Sequence, residues 1–184
     1  MLTFDQRQAL LTLARTSVAE RVREGGRRSD LAAQSVALVS IPDASGVFVT
    51  LKIGGELRGC LGTLSVCASV VHEVMRCAAE SATEDPRFPP MCCEELQEVR
   101  IEISVLGPLQ QIDPAAPDAF LIGQHGLVVE HRRRRGLLLP QVAVEWNWTP
   151  HEFLDHTCRK AGLSAGAWRN GAIVYRFDAE VFGD

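Results

Sequence analysis

The sequence predicts an antiparallel α+β fold, and three observations carry that expectation. Val47 to Ile53 and Glu56 to Thr63 flank Gly54-Gly55, the pattern of a hairpin with a two-residue turn. Val99 to Leu106 alternates strictly, with Val99, Ile101, Ile103 and Val105 facing one way and Arg100, Glu102 and Ser104 the other. The helical stretches do not recur in the regular strand-helix-strand rhythm of a parallel sheet. At 184 residues, 46% hydrophobic and 23% charged, the chain holds one domain or two small subdomains around a real core.

Taken in order, Thr3 and Gln6 form a capping box for a first helix carrying Leu10, Leu13, Ala14, Ser17, Val18 and Arg21 at helical spacing, ended by Gly25-Gly26. Arg27 to Ser45 reads as a loosely packed connection with turns at Ile41-Pro42-Asp43 and Ser45-Gly46. The Gly54-Gly55 hairpin follows. A second amphipathic helix is expected at about Cys67 to Thr83, with Val70, Val71, Val74, Cys77, Ala78 and Ser81 on one face. Asp85-Pro86-Arg87-Phe88-Pro89-Pro90 breaks the chain, and a helical turn near Glu94 to Gln97 leads into the Val99 strand.

Pro108, Pro114 and Pro117 mark a subdomain boundary. Beyond it, short strands are expected at Phe120 to Gly123, Leu127 to His131 and Gly136 to Leu139, the last two joined by an Arg132 to Arg135 turn. Thr149 as cap, Pro150 at the first position, Glu152 closing a capping box and Gly162 after the last turn sign a further helix. Ile173 to Phe182 reads as the closing strand.

A formal charge of -4 gives no diffuse positive field for a phosphate backbone and argues against nucleic acid as partner; the arginine tip would give weak, salt-sensitive binding at most. No apolar run is long enough to cross a bilayer, and the first residues lack a signal-peptide plan. Six cysteines without CxxC spacing suggest neither a zinc module nor a disulfide scaffold, so reduced thiols in a cytoplasmic protein are expected. No metal or cofactor is implied.

Alternation along Glu56 to Thr63 puts Arg58, Cys60 and Gly62 on one face. If the polar faces of the neighbouring strands coincide, Lys52, Arg58, Cys60, Glu102 and Ser104 line one surface. A cation beside Cys60 would favour the thiolate, the reactive form. Against this stands the ordinary fate of a free cysteine as a small buried hydrophobe. Gly59 and Gly62 mark close approach of a ligand or another backbone. Asp85 and Arg87 are either functional groups on a stiff loop or its anchor, with Asp85 capping amides and Phe88 plugging the core. His125, in a turn, offers an acid or base, although a lone loop histidine is more often solvated. Cys77, Cys158 and the vicinal pair Cys92-Cys93 read as packing residues.

The segments Gly46 to Lys52, Leu57-Arg58-Gly59-Cys60-Leu61-Gly62-Thr63, Asp85-Pro86-Arg87-Phe88, Ile103 to Leu106, His125-Gly126, Leu139 to Val142 and Lys160 to Leu163 resemble, in order, the AMMECR family, whose bacterial and archaeal members are called AmmeMemoRadiSam system protein A. The family usually has isoleucine where this chain has Leu61. The resemblance implies two subdomains, each an antiparallel sheet flanked by helices, with a cleft between them wide enough for a protein or other large substrate. The larger would span about 1–108 plus 170–184 and the smaller about 109–169. It also implies that Arg58, Gly59, Cys60 and Gly62 face that cleft, and that Memo-like and radical SAM proteins are pathway partners.

Two functions fit. In the first, an enzyme or enzyme component uses Cys60 as nucleophile or redox thiol, Arg58 to stabilise it, and Asp85, Glu102 or His125 in proton transfer, with Gly59, Gly62, Arg87, Lys52 and Ser104 contacting substrate. In the second, a binding module holds a protein or peptide by Arg58 and Arg87, and Cys60 is merely packed. The glycine-flanked Arg-x-Cys favours the first.

Overall fold

The structure is a computed structural model that describes residues 2–23 and 41–184. The Gly25-Gly26 stop and most of the expected connection fall outside the described residues. The chain divides into two compact units, Met1–Leu106 with Glu180–Asp184, and Gly107–Ala179.

In the first unit, helix α1 (Phe4–Arg23) opens with the expected reciprocal box: the Thr3 amide donates to Gln6 Oε1 at 2.7 Å and the Gln6 amide to Thr3 Oγ1 at 3.3 Å. Strands β1 (Gly46–Ile53) and β2 (Glu56–Thr63) pair antiparallel across Gly54 (φ +59) and Gly55 (φ +88), where the left-handed backbone of a primed turn favours glycine. Helix α2 (Val70–Thr83) starts later than expected because Ser69 caps it, accepting from the His72 amide, so Cys67 lies before the helix and is exposed. All six residues expected on its apolar face are buried. A 3-10 turn (Cys93–Gln97) precedes β3 (Arg100–Leu106).

The strand order runs β2-β1-β3, with the end of the C-terminal strand beyond β3: the Asp184 amide donates to the Ile101 carbonyl, and the Ile101 amide to Asp184 Oδ1. Val47, Val49, Leu51, Ile101 and Ile103 are buried against Leu10, Ala14 and Val18 of α1 and Val74, Cys77 and Ala78 of α2. The opposite polarity expected of β3 is only partial, since Ser104 is 2% exposed.

In the second unit, β4 (Gln110–Ile112) pairs with β7 (Ile173–Gly183), and β5 (His125–His131) lies between β7 and β6 (Arg134–Leu138). Phe120 to Gly123 is a turn rather than a strand, with the Gln124 and His125 amides both donating to the Leu121 carbonyl. His125 therefore opens a strand and is buried, where a turn residue was expected. The arginine turn is shorter than expected: Arg132 and Arg133 form it, and Arg134 and Arg135 are in β6. A helix that the sequence does not predict, α3 (Pro140–Glu145), follows β6. Then comes α4 (Pro150–Lys160), with the Thr149 and Glu152 box in place and Gly162 at φ +71. Phe153, Leu154 and Cys158 of α4 pack with Leu127, Val129 and Val174. Among the described residues, no helix is long and apolar enough to cross a membrane.

The seam between β2 and α2 sets a limit on side-chain volume. A Cβ at Gly59 would lie 2.1 Å from the Ser81 carbonyl oxygen, a backbone atom of α2. Ser81 Oγ in turn accepts from the Leu61 amide at 2.8 Å and donates to the Val49 carbonyl at 2.9 Å. Gly59→Ala should lower stability by about 2–3 kcal/mol through forced separation of helix and sheet. Ser81→Ala should cost about 1–3 kcal/mol through the orphaned Leu61 amide. Denaturant unfolding measures both, and unchanged midpoints would refute this account of the seam.

Candidate functional site

In the strand order β2-β1-β3, Thr50 faces Cys60 on one side and Glu102 on the other, and Phe48 faces Gly62 and Ser104 in the same way. Lys52 shares that sheet face by alternation, and its Nζ lies 3.0 Å from Glu102 Oε2. The structure thus brings Lys52, Cys60, Glu102 and Ser104 onto one face.

Arg58 departs from this pattern. Leu51 pairs with Gly59 but Lys52 pairs with Leu57, which leaves Arg58 as the extra residue of a β-bulge. The alternation used to align Arg58 with Cys60 is interrupted there. Its guanidinium instead engages Glu95 of the 3-10 turn in a two-pronged pair, Nε to Oε1 at 2.6 Å and Nη2 to Oε2 at 3.0 Å. Glu95 also accepts from the Cys92 amide at 2.8 Å. The Arg58 hydrogen bonds, with the Cys92 amide adding to them against the effect of burial, hold the Glu95 carboxyl at about 2 rather than 4.5. No signal in the sequence joins Arg58 to Glu95.

Cys60 has different neighbours. β2 ends the strand order, so its outward backbone groups have no strand to pair with. At Cys60 the Asp85-Pro86-Arg87 loop takes the place of one. The Cys60 amide donates to Asp85 Oδ2 at 2.8 Å, and Arg87 Nη2 donates to the Cys60 carbonyl at 3.2 Å. Asp85, 4% exposed, also accepts the Arg87 amide at 3.1 Å, Arg87 Nε at 2.9 Å and Nη2 at 2.7 Å. The Arg87 hydrogen bonds foremost, with the Cys60 and Arg87 amides, keep this carboxyl well below the usual carboxylate range. Asp85 is therefore an anchor: its two oxygens accept four hydrogen bonds and its depressed pKa makes it a weak base.

The Cys60 thiol is half-buried and accepts a hydrogen bond from Thr50 Oγ1 at 3.2 Å. The cation that reaches this residue is Arg87, through the Cys60 carbonyl; half of its side chain is exposed and its guanidinium lies over the Phe88 ring at 5.5 Å. Phe88 is half-exposed, so it supports Arg87 rather than plugging the core. Glu95 is the participant that sequence reasoning missed; Thr50 shares the polar set of its strand with Lys52 in the sequence, but nothing there assigns it a role.

Gly59 and Gly62 have structural reasons for lacking a side chain. Gly59 faces α2, and a Cβ at Gly62 would lie 2.2 Å from the Phe48 ring. Ser104 is too buried to offer surface. His125 belongs to the second unit, where its Nδ1 accepts from the Leu121 amide at 2.9 Å and its Nε2 lies 3.7 Å from Asp178 Oδ1. Accepting at Nδ1 places the proton of the neutral ring on Nε2. Cys77 and Cys158 are buried, and burial pushes Cys77 up to about 11 and raises Cys158 as well. Cys92 and Cys93 are exposed, contrary to their reading as packing residues. Among the described residues, no three His, Cys, Asp or Glu side chains gather into a metal cage.

The Glu95 carboxyl has its folded value depressed, so its contribution to stability is complete above about 4.5 and is lost as pH falls through about 2. Wild type should therefore exceed Glu95→Gln by about 1–3 kcal/mol at neutral pH, and the margin should close across that acid window. Denaturant unfolding of both forms at stepped pH measures it; a margin that stays constant would show that the charge on Glu95 is not what holds Arg58.

The AMMECR1 family model matches residues 11–182. A protein of Thermofilum pendens is 44% identical over 158 residues, covering 78% of this chain and 74% of its own length. One of Methanothermobacter thermautotrophicus is 38% identical over 190 residues, covering 98% and 95%. The crystal structure of an uncharacterized protein from Pyrococcus horikoshii is similar at a TM-score of 0.81 and 37% identity, over 95% of this chain and 89% of that one. With the match reaching from the first helix to the last strand, this chain belongs to the AMMECR1 family.

Proposed function

We propose that the chain is an enzyme or enzyme component whose chemistry centres on the Cys60 thiol, with Arg87 holding an anionic group of the substrate beside it. Memo-like and radical SAM proteins are its proposed pathway partners. The observation that supports this best is the setting of Cys60: Thr50 Oγ1 donates to its Sγ at 3.2 Å, and a partly exposed guanidinium, fixed by a buried carboxylate, donates to its carbonyl at 3.2 Å. A hydroxyl donor orients the sulfur, and a cation fixed at the same residue offers an anionic substrate group a charged partner.

The roles divide accordingly. Asp85 positions Arg87 through two hydrogen bonds to its guanidinium, leaving Nη1 directed to no protein acceptor among the described residues. Arg58, engaged by Glu95, is a structural residue of the bulge rather than an activator. Glu102, across Thr50 from Cys60, is the first unit's candidate for proton transfer, with Lys52 holding it in place. His125 enters no step of this proposal.

Alkylation at neutral pH tests the reading. Cys60 should react ahead of Cys67 although Cys67 is the more exposed, and its preference for anionic iodoacetate over neutral iodoacetamide should exceed that of Cys67 because Arg87 attracts the carboxylate. Arg87→Gln should abolish that preference, Thr50→Val should slow both reagents, and Arg58→Met should change neither. Peptide mass spectrometry follows the labelling, with thermal melting of each variant alongside. If Cys60 labels only as the protein unfolds, and Cys60→Ala lowers the melting point, the thiol is packing and the binding-module function takes its place.

A further inference from the structure

The second unit uses its cations differently from the first. In the first unit arginine meets carboxylate, as Arg7, Arg15, Arg58, Arg76 and Arg87 do. In the second, Arg132, Arg133, Arg134, Arg135 and Lys160 are all exposed, and among the described residues none lies within ion-pair distance of a carboxylate. Residues 107–179 hold eight Arg and Lys against seven Asp and Glu, in a chain of formal charge -4. The whole-chain average that argued against nucleic acid therefore conceals a locally basic surface.

Two details make this surface more than a solvated turn. Arg132 sits at φ +56, a left-handed position where glycine or asparagine costs less, so a long cation is held at the tip against local preference. The basic tip also continues into an aromatic stack along α4. Arg134 Nη1 donates to the Gly162 carbonyl, just past Lys160 and the end of the helix. One turn back, Arg159 Nη1 lies 3.4 Å from His156 Nε2. The His156 ring stacks on Trp148 at 3.9 Å and 8°, and Trp148 stacks on Trp146 at 6.2 Å and 19°. Trp146 is 68% exposed, so the outermost ring has a free face.

We infer that this strip, from the Arg132-Arg133 tip along α4 to Trp146, is a binding surface for single-stranded nucleic acid, with the arginines on the phosphates and Trp146 stacking on a base. Cations that track a backbone beside an aromatic platform are the two components such binding needs, and neither reads base identity, so the binding is sequence-tolerant. An acidic peptide would satisfy the cations and leave the exposed Trp146 stack without a role. The inference is independent of the chemistry at Cys60.

The test is fluorescence anisotropy of the full chain with a labelled uridine RNA of about twelve nucleotides, titrated with salt. Binding should weaken as salt rises. The Arg133→Gln/Arg135→Gln variant should both bind less and flatten the log-log salt slope by about 0.7 for each phosphate it no longer neutralises. Trp146→Ala should weaken binding on the order of tenfold with the slope unchanged, because stacking releases no counterions. Circular dichroism confirms that each variant is folded, which the exposure of these side chains favours. No binding at low salt, equal or tighter binding of a glutamate-rich peptide of the same charge, or an unaffected affinity in Trp146→Ala would each overturn the inference.

Discussion

The hydrogen bonds between the Asp85-Arg87 loop and the Cys60 peptide are the constraint on which the sheet edge of the first unit depends. A terminal strand exposes amides and carbonyls that either pair with another chain or require local partners. At Cys60 the carboxylate of Asp85 accepts where a neighbouring strand's carbonyl would, and the guanidinium of Arg87 donates where its amide would. Pro86 stiffens the link between the two. The same contacts that finish the edge also fix a guanidinium at the carbonyl of the only cysteine on β2.

That arrangement explains why the arginine nearer in sequence is not the one beside the thiol. A bulge at Arg58 re-aims its side chain towards Glu95, while the loop returning from α2 supplies Arg87 from a distance of 27 residues. Residues two apart on a strand share a face only where the ladder is regular. A single extra residue in β2 therefore decides which guanidinium reaches the Cys60 peptide.

Much of the fold was legible because it is written in local chemistry. The Gly54-Gly55 turn and the Thr3-Gln6 and Thr149-Glu152 boxes each depend on a few neighbouring residues and stand as expected, while the alternation of β3 holds only in its first half. The misreadings arise where distant partners decide. Phe120 to Gly123 has strand-like composition but closes a turn around the Leu121 carbonyl. α3 is six residues long and lacks a side-chain cap, so its sequence carries almost no signal. Cys67 is helical by periodicity alone, whereas Ser69 supplies the cap that starts α2. For the site, the residue types on β2 and in the Asp85 loop could be named in advance. Which of them touch required the bulge, the strand order and Glu95, none of which leaves a mark in composition or spacing.

Charge follows the same division between local and distant determinants. Net charge is a sum over the chain, but a bound anion responds only to charges within about a Debye length, roughly 8 Å in physiological salt. Among the described residues of the first unit, six of eight guanidiniums are held by a carboxylate, so their field is short-ranged and serves to fix loops and edges, as Arg58 does for the bulge. At the β5-β6 tip no carboxylate among the described residues comes within ion-pair distance of the arginines, so their field is open to solvent. The acidic excess that characterises the chain as a whole therefore says little about what either surface attracts. Arg87 occupies an intermediate position: it is anchored by Asp85 on one side while half its side chain remains exposed. A guanidinium held in that way has already lost most of its freedom, so meeting an anion costs it little more.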